Sequence, residues 1–94
     1  MIKHVICFKL KNRADQAEAK TILSSMKGNV PMLLDIEVGA DFLASARSYD
    51  VYLCVTLKDK TALDEYQKDP YHCNVVKTYM RERSESSVAV DFEI

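Results

Sequence analysis

The spacing of apolar residues changes along the chain, and this change constrains the fold more than any other feature. Four segments alternate at every second residue, which predicts strands at 2–10, 34–42, 51–57 and 88–94. Between them the spacing lengthens to that of an amphipathic helix, at 14–28, 60–68 and 70–83. The predicted order is therefore strand, helix, strand, strand, broken helix, strand.

Each predicted helix has one apolar side. In the first, that side consists of Ala19, Ile22, Leu23 and Met26, and Gly28 is a plausible stop. The second has Ala62, Leu63 and Tyr66 facing inward, and the third has His72, Val75, Val76 and Tyr79. Pro70 breaks the two apart, with Asp69 expected as the N-cap of the third helix and Pro70 as its first residue.

This order predicts a single α+β domain spanning residues 1–94. We expect a ferredoxin-like βαββαβ sandwich, in which a four-stranded antiparallel sheet carries its helices on one face. The strands at 2–10 and 51–57 should then be central, and those at 34–42 and 88–94 should form the edges.

The face of the sheet without helices is predicted to have an apolar centre and a charged rim. The central strands place Val5, Cys7, Tyr52 and Cys54 there, whereas the edge strands are expected to contribute mostly acidic or small residues. A domain of 94 residues has a thin core, and a second copy laid sheet to sheet would cover this face. We therefore expect a homodimer through the open sheet face.

Composition argues against several classes of partner. The net charge is −1 with no long run of Lys or Arg, and no apolar stretch approaches the roughly 20 residues needed to span a bilayer. Neither nucleic acid nor a membrane is therefore expected as a partner. The first ten residues do not resemble a secretory signal, so a cytoplasmic location is expected. Three cysteines without CxxC spacing predict reduced thiols and no zinc site.

The only two histidines, His4 and His72, fall on surfaces that the fold should turn inward, and Tyr66 faces the same layer. One interpretation is that all three are hydrogen-bonded core residues. The other is that they line a small-molecule pocket. His72, near the positive end of a helix, would then be a neutral general base, and Tyr66 would donate a hydrogen bond to a substrate carbonyl or oxyanion.

Other chemistries have less support in the sequence. His4 and His72 lie on different elements, and no spacing indicates a third metal ligand. Serine-nucleophile motifs and phosphate-binding glycine loops are missing, since the only glycines are Gly28 and Gly39. We therefore expect neither a metal nor another cofactor.

Several motifs together resemble the stress-responsive dimeric α/β-barrel (Dabb) family over essentially the whole chain. They are Lys3-His4, Val38-Gly39-Ala40-Asp41, Tyr49-Asp50 before Val55-Thr56-Leu57, Tyr66 with Asp69-Pro70-Tyr71-His72, and Val90-Asp91-Phe92. The resemblance implies a dimer whose two sheets pack into a barrel.

The resemblance also implies a possible reaction. In the family's best-understood enzyme type, a plant polyketide cyclase, a histidine base and a nearby tyrosine catalyse an aldol condensation without a cofactor. His72 would be that base, Tyr66 the phenol and His4 a substrate-binding pocket residue. Asp69 occupies a position where the family commonly has His. This difference weakens any inference of the substrate from the family.

Two functional hypotheses follow, and a third ranks lower. The first is a cofactor-free cyclase or lyase that acts on a carbonyl compound. The second is a non-catalytic, stress-associated binding or structural homodimer. The third is a cofactor-free oxygenase, for which the chain carries no specific signal.

Overall fold

The computed structural model describes all residues from Met1 to Ile94. Its strands are β1 (Ile2–Leu10), β2 (Asp35–Ala40), β3 (Val51–Leu57) and β4 (Ser84–Glu93). A 3₁₀ turn at Arg13–Asp15 leads into α1 (Gln16–Ser24), and α2 is Lys60–Lys68. A π-helix, His72–Lys77, continues directly into α3 (Thr78–Arg83). No helix in the structure has the length and apolar character needed to cross a membrane.

The four strands form one antiparallel sheet in the order β2-β3-β1-β4. The two central strands are β1 and β3, as predicted, and the helices lie on one face. This is an α+β sandwich of ferredoxin-like type, and the predicted fold class is confirmed.

The core lies between this face and the helical layer. Its largest fully buried side chains come from α1 and the following turn, from α2, from the π-helix and from β3: Leu23, Met26, Tyr66, Val76, Val51, Leu53, Val55 and Leu57. Because β3 is covered by strands on both sides and by helices on one face, six of its seven residues are buried.

The first helix and the second strand are shorter than predicted. The α-helix ends at Ser24 and gives way to turns, in which Met26 is still fully buried and Gly28 adopts a positive φ of 84°. The second strand ends at Ala40, and Phe42, predicted to lie on its dry face, is 93% exposed. The Asp41 carboxylate explains this end, because it accepts hydrogen bonds from the Ala44 amide and from Arg13 and turns the chain out of the sheet.

The last helical segment is helical from residue 70 to 83 as predicted, but its inward face differs. Val75, predicted to face inward, is 38% exposed, whereas Met80 is buried. A π-helical turn holds more than four residues, so the buried positions become His72, Val76 and Met80, each four residues apart.

The faces of β4 are the reverse of the prediction, in which its acidic and small residues were expected on the open face. Val90 pairs with Val5 and Val88 with Cys7, and directly opposed residues project from the same side of a sheet. Val88, Val90 and Phe92 therefore lie on the open face, while Ala89, Asp91 and Glu93 lie on the helical side. The open face is thus more apolar along this edge than predicted, and Val90 is 61% exposed.

Candidate functional site

A cavity of about 400 Å³ lies between β1 and the helices that follow α2. Its walls are mostly apolar and include Ile6, Phe8, Leu23, Leu53, Val76 and Met80. The three residues singled out from the sequence, His4, Tyr66 and His72, all line it as well. The fold therefore brings two imidazoles and one phenol to a single apolar cavity.

Each of the three is placed by its own element. His4 is on the helix-facing side of β1, and Tyr66 is on the buried side of α2. His72 follows the break at Pro70, where the Asp69 carboxylate accepts a hydrogen bond from the His72 amide at 2.9 Å. This is the predicted N-cap, and it sets the start of the helix that carries the imidazole.

The ring of Tyr66 contacts both imidazoles. It stacks on His72 with the ring centroids 4.2 Å apart and 27° between the planes. Its centroid is 5.8 Å from that of His4, in an edge-to-face arrangement at 64°. Both geometries are favourable aromatic contacts, so the phenol ring fixes the position of both imidazoles relative to one another.

The hydroxyl of Tyr66 is directed into the core. It makes a long contact of 3.8 Å with the Met26 thioether, a weak acceptor, and the residue is fully buried. Burial, with a smaller contribution from the negative charge of Asp69, raises the pKa of Tyr66 well above its usual range. The phenol therefore keeps its proton and remains a hydrogen-bond donor.

His72 has the electrostatic setting of a neutral imidazole. Burial lowers its pKa below the usual 6.5, and the positive charge of Lys77 lowers it further. Smaller opposing effects come from the Tyr66 carbonyl and the Asp69 carboxylate. The ring nitrogen Nδ1 of His72 is buried and has no hydrogen-bond partner, which is rare for a buried polar atom.

His4 has a partner that was not anticipated from the sequence. The Asp91 carboxylate on β4 contacts its Nδ1, so Nδ1 carries a proton and donates it. This leaves Nε2 as the ring atom available to a ligand. The β1–β4 register places Asp91 opposite His4. Knowledge of this register would have predicted the contact.

The polar residues at the rim of the cavity were also not identified from the sequence. They include Lys77 and Arg81 from the helix, and Ser84 and Glu85 from the start of β4. The last strand was predicted to begin at residue 88, which left Ser84 and Glu85 outside the predicted elements, whereas β4 begins at Ser84.

No cluster of three or more His, Cys, Asp or Glu side chains is arranged to hold a metal ion in the structure. The three cysteines, Cys7, Cys54 and Cys73, form no disulfide in the structure.

Solved structures with the same fold cover nearly all of the chain. A dimeric ferredoxin-like protein of unknown function from Thermobifida fusca is 27% identical, with a TM-score of 0.84 over 99% of this chain and 90% of that chain. A dimeric protein of unknown function from Bacteroides fragilis is 20% identical, with a TM-score of 0.85 over 99% and 95%. An antibiotic biosynthesis monooxygenase is 13% identical, with a TM-score of 0.76 over 100% and 98%.

No curated protein matches the chain. The sequence model of the stress responsive A/B barrel domain, in contrast, matches residues 2–94. This match spans all four strands and all the helices of the fold. The chain therefore belongs to the stress responsive A/B barrel domain (Dabb) family.

Proposed function

We propose that the protein is a homodimer in which each protomer binds a small carbonyl compound in the cavity beside His4, Tyr66 and His72. On this compound it performs acid/base chemistry of cyclase or lyase type without a cofactor. An association with a stress response is part of the proposal and rests on family membership.

The observation that carries the proposal is the state of His72. Its imidazole lines an apolar cavity, is held neutral, and keeps a buried ring nitrogen without a partner. A neutral imidazole in such a place is suited to accept a proton. Its stacking on Tyr66 and the N-cap at Asp69 hold the ring in one orientation.

The proposed step is removal of a proton from the carbon next to the carbonyl group of the ligand. The carbon–hydrogen bond breaks, His72 takes the proton, and the electron pair moves onto the carbonyl oxygen to give an enolate. Condensation or cleavage then proceeds from this enolate, and the proton on His72 is returned to the product.

The enolate oxygen needs a hydrogen-bond donor. The phenol of Tyr66 is protonated but must leave the Met26 thioether to serve. The imidazole of His4, whose Nδ1 donates to Asp91, presents Nε2 as an acceptor for a polar group of the substrate. We assign Tyr66 as the donor and His4 as the residue that binds and orients the substrate.

The dimer interface is proposed to be the open face of the sheet. Val88, Val90 and Phe92 are 48%, 61% and 43% exposed in the protomer and adjoin Val5 and Cys7 on the central strand. An exposed apolar row of this kind on a sheet is typical of an interface. The similar proteins from Thermobifida fusca and Bacteroides fragilis are dimeric, which supports the same assembly here.

A non-catalytic binding or structural dimer is the second candidate, and one observation favours it. Tyr66 is fully buried with its hydroxyl on Met26, as a core tyrosine would be. A cofactor-free oxygenase ranks third, because the likeness to a monooxygenase at 13% identity reflects the fold alone.

Two measurements on the same samples test the proposal. A panel of small ketones, β-diketones and thioesters is first screened for compounds that raise the melting temperature. Exchange of the protons next to the carbonyl of each hit is then followed by NMR in D₂O, with the wild type and His72→Gln. We expect the wild type to accelerate exchange and the variant to lose about 10²-fold or more.

Stabilisation without accelerated exchange would favour the non-catalytic candidate. If no compound on the panel stabilised the protein, the cavity would lose its proposed role as a carbonyl-binding site.

A further inference from the structure

Two positively charged side chains at the rim of the cavity form no ion pair. Lys77 and Arg81 both line the cavity, and neither takes part in any of the ion pairs or side-chain hydrogen bonds in the structure. They are four residues apart, the second within α3, so they project from one side of the helix with Cβ atoms roughly 5–6 Å apart. The rim therefore presents a local pair of positive charges.

The charged side chains at the rim carry a net charge of one positive unit. Lys77 and Arg81 are the two cations and Glu85 is the single carboxylate. A bound group with one negative charge would neutralise this excess.

The unpaired buried polar atoms also belong to this cavity. The structure has two buried side-chain atoms without a hydrogen-bond partner, Nδ1 of His72 and Oγ of Ser84, and both residues are lining residues. Buried polar atoms in native proteins are nearly always satisfied by protein, water or ligand. Ser84 begins β4 and lines the same cavity as Lys77 and Arg81.

The other lining residues indicate the chemical character of the rest of the ligand. Ile6, Phe8, Leu23, Leu53, Val76 and Met80 make the interior apolar. A ligand that satisfies both regions has an apolar body and one charged end.

We propose that the natural ligand is an amphipathic carbonyl compound with a carboxylate end, such as a medium-chain keto acid. Its carboxylate is bound by Lys77, Arg81 and the hydroxyl of Ser84, and its apolar body extends toward Tyr66 and His72. This inference deepens the proposed function and rests on the cavity being the ligand site.

A carboxylate fits better than a phosphate ester. Phosphate sites usually include backbone amides of a glycine-rich loop, and neither Gly28 nor Gly39 lines the cavity. A phosphate group would also carry more negative charge than the single unit by which the rim is positive.

Calorimetric titration with octanoate and octanamide tests the inference, since the two probes differ in charge but share their chain. At pH 7.5 and low salt, we expect octanoate to bind about tenfold more tightly, with an advantage that shrinks as salt is added. In a Lys77→Met/Arg81→Met double variant, the affinity for octanoate should fall to that for octanamide, and octanamide should bind as before. Ser84→Ala should weaken octanoate binding about threefold through the loss of one hydrogen bond.

Lys20→Met is the matched control, because Lys20 is an exposed helical lysine on α1 that is not part of the cavity. It should leave both affinities unchanged.

Equal binding of the two probes, or an octanoate affinity that the double variant does not alter, would overturn the carboxylate assignment and leave the proposed function standing. Tighter binding of n-octyl phosphate than of octanoate would also overturn it. If neither probe bound, the carboxylate assignment would fail, while the proposed function would still be decided by the panel of carbonyl compounds.

Discussion

The Nδ1–H group of His4 donates a hydrogen bond to the carboxylate of Asp91 across the β1–β4 strand pair. The His4 side chain is almost fully buried, whereas that of Asp91 is about half exposed. The carboxylate therefore stays partly solvated while it fixes the tautomer of an imidazole that faces the cavity. The same arrangement of carboxylate and histidine orients imidazoles in many catalytic sites.

Removing this carboxylate should change the tautomer of His4. We expect Asp91→Ala to leave a buried donor unpaired, to lower the free energy of unfolding by about 1–2 kcal/mol, and to give a mixture of tautomers in ¹⁵N NMR spectra. Asp91→Asn, which retains an acceptor oxygen, should preserve the wild-type tautomer. Identical ring spectra in the wild type and Asp91→Ala would show that Asp91 does not orient His4.

The hydroxyl of Tyr66 should contribute little to stability. Its single contact is a long one to a thioether, so we expect Tyr66→Phe to cost less than about 1 kcal/mol in urea denaturation. Tyr66→Ala is the contrast, because loss of the fully buried ring should cost about 3–5 kcal/mol. A loss of about 2 kcal/mol or more in Tyr66→Phe would mean that the hydroxyl is a core hydrogen-bond donor.

The lowered pKa of His72 predicts a dependence of stability on pH. The unfolded chain takes up a proton at this residue near pH 6.5, whereas the folded protein resists protonation until a lower pH. Between these two pH values the unfolded state binds more protons than the folded state. The contribution of His72 to the free energy of unfolding is therefore fully present above pH 6.5, decreases as the pH falls below 6.5, and levels off below the pKa of the folded state.

Urea midpoints at pH 7.5 and pH 5.0 measure this effect. His72→Gln should lose less stability than the wild type over this interval. The comparison isolates His72 from its surroundings, namely Asp69, Lys77 and His4, because these are the same in both proteins. Equal losses in both would contradict the assignment of a neutral His72.

Asp69 should be replaceable by asparagine but not by alanine. Its carboxylate caps the helix through the His72 amide, and loss of an N-cap costs about 0.5–2 kcal/mol. Asparagine caps a helix about as well, so Asp69→Asn should stay within a few tenths of a kcal/mol of wild type. Thermal melts of the two variants measure the difference, and equal destabilisation would point to the charge of Asp69 instead of its capping hydrogen bond.

A charge on the open face should separate the protomers. Val90 is 61% exposed there, and Val90→Lys would place an ammonium group in the proposed interface. By sedimentation at micromolar concentration, we expect the wild type to be a dimer and Val90→Lys to be a monomer. Val75→Lys, at a partly exposed valine on the helical layer, should remain a dimer. A monomeric wild type would contradict the proposed assembly.

Local patterns were sufficient to predict the order of the strands and helices, the central position of β1 and β3, and the cap at Asp69. Each depends on neighbouring residues, such as the alternation from Ile2 to Leu10 or the Asp69-Pro70 pair. The cavity residues His4, Tyr66 and His72 were found in the same way, because each lies on the apolar side of its own element.

Features that depend on pairing between distant segments were missed. The early start of β4 at Ser84 and the contact between Asp91 and His4 both follow from the β1–β4 register, which local spacing does not encode. Val75 was placed inward because an α-helical period was assumed, and the π-helix from His72 to Lys77 changes that period. The unpaired state of Lys77 and Arg81 likewise requires the positions of all neighbouring carboxylates.

The wide turn of the π-helix separates the two ends of the cavity. His72 begins this turn, Lys77 ends it, and Met80 and Arg81 follow it. This turn takes up one residue more than an α-helical turn, and an uninterrupted α-helix of the same sequence would rotate everything downstream of it by about 100° around the helix axis. The imidazole would keep its place beside Tyr66, but Arg81 would no longer border the same opening. This single backbone irregularity therefore sets the alignment between the group proposed to react and the groups proposed to recognise the ligand.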